Sequence, residues 1–263
     1  MITFNRIGYM GRLGNQMFQM ASTIGIARKL NYDVKFPSEN FIKGSGYEYN
    51  GCDLIECFDI PEILITLRDF IQIISGYTEK EFTYNSELLN ISDYTNINGY
   101  LQTEKYFIDI EDEIRKIFTF KANIRNIGDA VKIEDGSHVS LHIRRGDYLN
   151  SMDYHPVQDH DYFKNTMSEF SDDQKFYIFS DDIEWCKSKF IGDRFRFIET
   201  GSPYVDMYIM SKFKNHIIAN SSFSWWGAWL SGRDSKVIAP KKWFGPAINN
   251  DTADIYCKNW IIK

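Results

Sequence analysis

The chain has 263 residues, 43% of them hydrophobic and 25% charged, enough apolar material for one large packed domain or two small ones. A formal net charge of -6 excludes the broad basic face of a non-specific nucleic-acid binder, so no nucleic-acid partner is expected. No stretch reaches the roughly eighteen consecutive apolar residues that would span a bilayer. The opening MITFNRIGY lacks the apolar centre of a secretory leader, so a cytoplasmic place of action is the expectation.

The first predicted element is a strand, Ile2–Arg6, followed by the loop GYMGRLGN and a helix from Gln16 to Leu30. Met17, Met20, Ala21, Ile24 and Ala27 recur in that helix at spacings of three and four, an apolar stripe. DVKF, residues 33–36, is the next strand and completes a βαβ unit. ILITLRDFIQII, residues 63–74, is predicted to be helical. INGYLQTEKYF (97–107) is a short strand running into a helix, and DIEDEIRKIFTF (109–120) is a charged helix. The polar stretch ending in EDGS marks a boundary between domains at 1–135 and 136–263.

The second half repeats the alternation. Strands are predicted at 138–143, 175–180, 195–199, 216–220 and 236–240. Between them lie helices, one opened by Ser202 as N-cap and Pro203 at the first helical position. Strands alternating with helices argue for an α/β protein with two parallel sheets in Rossmann-like domains.

In VSLHIRRGDY (139–148), Val139, Leu141 and Ile143 share one strand face, and His142 and Arg144 the other. The strand is expected to end at Gly146. Ligands of open parallel sheets bind beyond the carboxyl ends of strands, so Arg144 stands at a ligand rim with Asp147 in the loop beyond. An arginine and a histidine there suit a phosphate, although His142 is equally well read as a hydrogen-bonded core residue. Arg145 and Asp147 also read as an ordinary surface pair. In NSSFSWWGAW, Ser221 and Ser222 precede a helix whose free N–H groups and positive dipole end bind phosphate; plain N-capping accounts for only one of the two. Trp225, Trp226 and Trp229 are read as core. In FSDD, one of Asp181 and Asp182 caps the next helix, and the other is free to accept from a ribose or base. GRLGNQ matches neither common phosphate fingerprint, but Asn15 offers a donor and an acceptor beside permissive glycines. Asp159–His160–Asp161 has the D-x-D form of metal-dependent transferases, yet reads better as a helix start, and no metal ligand set is assigned. Cys52, Cys57, Cys186 and Cys257 fit no zinc spacing and are expected to be reduced thiols.

GRLGNQMFQMA, GYLQTEKYF, HIRRGDY, FSDD and NSSFSWWGAWL, in this order from about Met10 to Phe244, resemble the bacterial α-1,2-fucosyltransferases of glycosyltransferase family 11. The H-x-R-R-x-D core is shared with α-1,6- and protein O-fucosyltransferases. The resemblance implies a GT-B fold, two Rossmann-like domains facing across a cleft, with the donor GDP-fucose held mostly by the second. It implies inversion at the anomeric carbon, no cofactor and no essential metal. Arg144 would contact the β-phosphate, and His142 the guanosine or diphosphate. Ser221, Ser222 and the N–H of Phe223 would be the other phosphate contacts, and Asp181 or Asp182 would hold guanine or ribose. Asn15 would be the first domain's catalytic contribution, facing sugar and acceptor, and Asp147 is the candidate general base. The acceptor implied is a galactose-containing oligosaccharide; if lipid-linked, it would bring the protein to the inner face of the membrane. A non-catalytic glycan-binding protein is the rival class, and it leaves the phosphate-type rim without a purpose. Where the family has paired glycines in its first loop, this chain has Gly11 and Arg12; where the following helix often carries an aromatic, it has Met20.

Overall fold

The computed structural model describes residues 1–38, 52–66 and 73–263. Two compact units result, Met1–Lys121 with Asp251–Cys257, and Ala122–Asn250 with Lys258–Lys263. This division departs from 135/136 for two local reasons. The helix at 122–130 packs on a helix of the second unit. Asp254 returns to the first unit, where its carboxylate accepts the N–H of Tyr84 at 2.7 Å and pairs with Lys105.

The first unit holds a parallel sheet of β1 (Ile2–Thr3), β2 (Val34–Pro37), β3 (Ile65–Thr66), β4 (Ser75–Thr78) and β5 (Thr95–Asn98), in the order β3-β2-β1-β5-β4. Helix α1 (Leu13–Leu30) begins three residues before the expected Gln16, so Asn15 lies in its first turn rather than in a loop. It ends where Asn31 adopts a left-handed conformation (φ 55°, ψ 41°) and the N–H of Tyr32 reaches back to Ala27. Arg28 and Lys29 complement the dipole of the last turn. The apolar stripe understates its burial: from Leu13 to Ala27 every residue but Asn15 is buried. Gly25 explains part of this, since a Cβ there would lie 2.2 Å from the carbonyl oxygen of Tyr106, in the 3₁₀ turn Glu104–Tyr106 that packs on the helix. Among the described residues the unit also has the short helices α2 (Asp53–Cys57) and α3 (Glu111–Ile117). The helix predicted over 63–74 is not present at its start, where Glu62–Leu64 is a 3₁₀ turn and Ile65–Thr66 is β3; residues 67–72 lie outside the described residues. The β-branched pair Ile65–Thr66 lengthens the sheet beside β2, a tertiary choice that local helical spacing does not reveal.

The second unit has six parallel strands: β6 (Val139–Ile143), β7 (Phe176–Ser180), β8 (Phe195–Phe197), β9 (Asn215–Ile217), β10 (Lys236–Ala239) and β11 (Ile261–Ile262). Their order, β11-β10-β9-β6-β7-β8, is the doubly wound one, with the reversal between β6 and β9. Helices α4 (Ala122–Ala130), α5 (His160–Met167), α6 (Ile183–Lys189), α7 (Pro203–Met210) and α8 (Ser222–Leu230) cover it. One face of β6 presents Val139, Leu141 and Ile143 to a core that includes Phe163, Phe176, Ile217 and Ile238. The other carries Ser140 and His142, as the period of two requires. Ser140 pairs in register with His216 of β9, and their side chains share a 2.7 Å hydrogen bond in a fully buried position. Trp225 and Trp226 are 0% exposed, and the four cysteines are buried. Among the described residues no helix is long and apolar enough to cross a membrane.

Candidate active site

Strand β6 stops at Ile143, where the strand predicted over 138–143 ends and short of Gly146, so Arg144 and Arg145 both lie beyond its tip, and Gly146–Asn150 forms a 3₁₀ turn. The two arginines have different partners. Arg144 donates from Nη2 to Asp147 Oδ1 at 2.6 Å and forms an ion pair through Nη1 with Asp181 Oδ2 at 3.0 Å, with its guanidinium 5.2 Å from the ring centre of Tyr148. Arg145 is tied down: its Nε donates to Asp182 at 3.0 Å and its Cζ stacks 3.8 Å over Trp185. The surface pair suggested for Arg145 and Asp147 is therefore replaced by Arg145–Asp182, and Asp147 pairs with Arg144 instead.

Asp181 works as a brace. Its Oδ1 accepts the backbone N–H of Arg145 at 2.9 Å while Oδ2 faces Arg144. Gly146 makes room for it, since a Cβ there would fall 2.4 Å from Asp181 Oδ2. Asp182 caps α6, accepting from the N–H of Trp185, as one of the FSDD carboxylates was expected to do. Two cations thus face three carboxylates, and the rim is a set of ion pairs rather than a bare positive patch.

His142 is 5% exposed, with its ring 5.4 Å from that of Phe223 at the start of α8. Burial, reinforced by the Arg144 charge, pushes its pKa down to about 3, so the imidazole is neutral. Its Nδ1 is buried without a hydrogen-bond partner, which sets it apart from His216, whose two ring nitrogens are both engaged. Ser221 occupies the N-cap of α8 in an extended conformation but makes no side-chain cap bond. The capping role allowed for one serine is therefore not taken up, and the first-turn amides of Ser222 and Phe223 stay at the carboxyl edge of the sheet, on the β9 side of the reversal.

Three rim residues escaped the sequence analysis. Tyr148 lies under Arg144, stacks on His155 at 4.8 Å, and donates to the carbonyl of Asn220 at 3.3 Å; burial raises its pKa to about 12. Asn220 accepts from Gln158 at 3.0 Å and donates to the carbonyl of Trp243 at 2.9 Å, stitching three loops together. Asp206, in the first turn of α7, accepts from Thr200 at 2.6 Å, and burial lifts its carboxyl to about 6. The aromatic that ends HIRRGDY was a local signal for Tyr148; Asn220 depends on contacts 62 and 23 positions away, whereas the Thr200–Asp206 bond spans only six and went unread. Asp159 proves to be the N-cap of α5, its Oδ1 accepting from Tyr162 at 2.7 Å, and Asp161 sits in the first turn, so D-x-D is a helix start here.

Asn15 belongs to the first unit. Its Oδ1 accepts from Gln102 Nε2 at 2.7 Å, and its amide packs where a Cβ on Gly11 (φ 78°) would stand.

Among solved structures the fold is similar to the fucosyltransferase NodZ from Bradyrhizobium, with a TM-score of 0.54, over 87% of this chain and 92% of that one at 14% identity. NodZ, described as an α-1,6-fucosyltransferase, has been co-crystallised with GDP. Two parallel Rossmann-like sheets give the chain a fold of GT-B type. The chain belongs to glycosyl transferase family 11, whose sequence profile matches residues 1–263. It is 33% identical to the α-1,2-colitosyltransferase of Escherichia coli, over 89% of this chain and 90% of that protein. It is 30% identical to the O-antigen biosynthesis glycosyltransferase WbnK of the same species, over 95% and 97%.

Proposed function

We propose that the protein transfers L-fucose from GDP-fucose to O2 of a terminal β-galactoside of a glycan, with inversion at the anomeric carbon and without a metal. The observation that carries this reading is Arg144, held at the tip of the reversal strand between Asp147 and Asp181, on the same sheet edge as the first-turn amides of α8. A guanidinium with donors to spare and a helix N-terminus suit a diphosphate leaving group.

In this mechanism the acceptor oxygen attacks the anomeric carbon, and the bond from that carbon to the β-phosphate oxygen breaks. Negative charge grows on the leaving oxygen and is met by Arg144 and the amides of Ser222 and Phe223. The ion pairs add a coupling. Asp147 is 59% exposed, so a diphosphate that draws Arg144 away releases its carboxylate to water. Asp147 is then free to take the acceptor's proton, so base activity follows donor binding. His142, neutral and lacking a partner at Nδ1, serves as a hydrogen-bonding contact to the donor rather than as a cation. Asp181 braces Arg144, Asp182 holds Arg145, and neither is left to take guanine or ribose without giving up those pairs. Asn15 is the first unit's contribution to sugar binding.

A second donor reading has one specific support, the 33% identity to a colitosyltransferase; colitose is fucose without its 3-hydroxyl. The test is parallel incubation of the purified protein with GDP-fucose or GDP-colitose, a β-galactoside and EDTA, with the product linkage read by NMR. An α-1,2-linked fucoside formed in EDTA is expected. Transfer of colitose alone would move the donor assignment. An α-1,6 linkage, a glycosylated peptide hydroxyl, loss of activity in EDTA, or no GDP binding by calorimetry would each overturn the reading.

A further inference from the structure

We infer that Gln102, supported by the loop at the end of β5, reads a hydroxyl of a neutral hexoside acceptor, and that it is a specificity-determining residue of the first unit. The inference rests on the transferase reading above for the role of that hexoside.

The first observation concerns unpaired oxygens. Gln102 is 7% exposed; its Nε2 donates to Asn15, and its Oε1 is buried with no donor. Asn98, the last residue of β5, has a buried Oδ1 in the same condition. So does Oε1 of Gln19, one helical turn beyond Asn15, whose Nε2 is spent on the carbonyl of Met10 at 3.0 Å. Buried acceptors left without donors are rare and costly. All three are amide carbonyl oxygens, so a ligand group that satisfies any of them must bring a hydrogen. They repel a phosphate or carboxylate and suit a polyol. The chemistry is thus opposite to that of the second unit, where a guanidinium and helix amides await an anion.

The second observation is how Gln102 is held. The chain leaves β5 through Gly99 (φ 154°) and Leu101, which adopts the left-handed conformation (φ 53°). For a leucine this costs on the order of 1–2 kcal/mol. Glu79 enforces it: its carboxylate accepts the N–H of Tyr100 at 2.6 Å and of Leu101 at 3.1 Å, and its Cβ occupies the space beside Gly99. From the other side Ser22 of α1 donates to the Leu101 carbonyl at 3.0 Å. This clamp fixes Gln102 against Asn15 through Nε2 and leaves Oε1 as an acceptor with no donor. A sugar hydroxyl is a neutral donor of the kind that oxygen lacks.

The test uses the full chain with GDP present and methyl β-galactoside with its 3-, 4- and 6-deoxy forms, binding being followed by NMR saturation transfer and transfer by initial rates. Wild type is expected to bind the parent galactoside and to lose on the order of 10²-fold in kcat/KM for one deoxy form. Gln102→Leu should abolish detectable galactoside binding, leave the Kd for GDP unchanged, and erase the difference between that deoxy form and its parent. Gln102→Glu keeps an acceptor oxygen and should keep the difference; it stands in as the test if the leucine variant does not fold. Galactoside binding that is absent in wild type, or equal in wild type and Gln102→Leu, overturns the inference. Binding that depends on Gln102 with no sugar transferred counts against the proposed reaction and not against this site.

Discussion

Replacing Arg144 with alanine separates a structural ion pair from a catalytic one. The fold loses two charge pairs, at 2.6 and 3.0 Å, and a guanidinium over Tyr148. Asp147 is 59% exposed and rehydrates, and Asp181 keeps the backbone N–H of Arg145, so neither carboxylate is stranded. Partly exposed pairs contribute up to about 1 kcal/mol each and the ring contact about as much, so the fold should weaken by roughly 1–2 kcal/mol. The transferase reading asks more of the same side chain. If it stabilises the leaving oxygen, the variant loses on the order of 10²–10³ in rate, equivalent to about 2.7–4 kcal/mol. A thermal melt measures the first quantity, and initial rates at saturating donor the second. Arg144→Lys, which keeps the charge but not the planar fork, should fall between wild type and alanine. An Arg144→Ala protein that turns over at the wild-type rate would falsify the assignment, however the melt comes out.

Asp147→Asn keeps the bond to Arg144 but cannot accept a proton, so transfer should drop by on the order of 10²-fold, with the GDP Kd little changed; full activity would remove Asp147 as base. Gly146→Ala pushes a methyl group to 2.4 Å from Asp181 Oδ2 and should dislodge that carboxylate from the Arg145 N–H, costing about 1–3 kcal/mol of stability and weakening GDP binding. His142 and His216 both have pKa values pushed down by burial to about 3, below the 6.5 of an unfolded chain, so the unfolded state takes up their protons first. Their contribution is complete above pH 6.5 and is lost as pH falls toward 3, by up to about 2.7 kcal/mol per pH unit for two protons; NMR should show both imidazoles neutral down to pH 4.5, and a titration near 6.5 would contradict this. Asp206 runs the other way: its folded pKa is raised to about 6, so its charge destabilises the fold as pH rises from about 4 to 6. Asp206→Asn should therefore raise the melting temperature at pH 7.5 and not at pH 4, with a gain of at most about 3 kcal/mol.

What could be read from the residues alone followed from short-range rules. The alternation in VSLHI assigned Val139, Leu141 and Ile143 to the core and His142 to the opposite face, which is what the sheet shows. Ser202 and Pro203 marked the start of α7, although the Ser202 side chain makes no cap bond, and Asp182 marked and caps that of α6, because helix-start signals depend on neighbours in sequence. The errors have a common cause. The short strand at Ile65–Thr66 exists because β2 lies beside it, and α1 starts early because its whole circumference is covered, so no stripe marks its true ends. The surface pair of Arg145 with Asp147 fails for the same reason: the two FSDD carboxylates, 36 and 37 positions away, take Arg145 instead. The Gln102–Asn15 contact spans 87 positions, and nothing in GYLQTEKYF announces it.

The backbone passes from the first unit to the second at 121/122, returns at 250/251, and leaves again at 257/258. No single scission therefore yields two complete halves. Cutting the gene once, wherever the cut is placed, deprives at least one half of residues that belong to it. Separately expressed halves should be recoverable only when Asp251–Cys257 is rejoined to the N-terminal piece and the strand Ile261–Ile262 is left with the other, a redesign rather than a truncation.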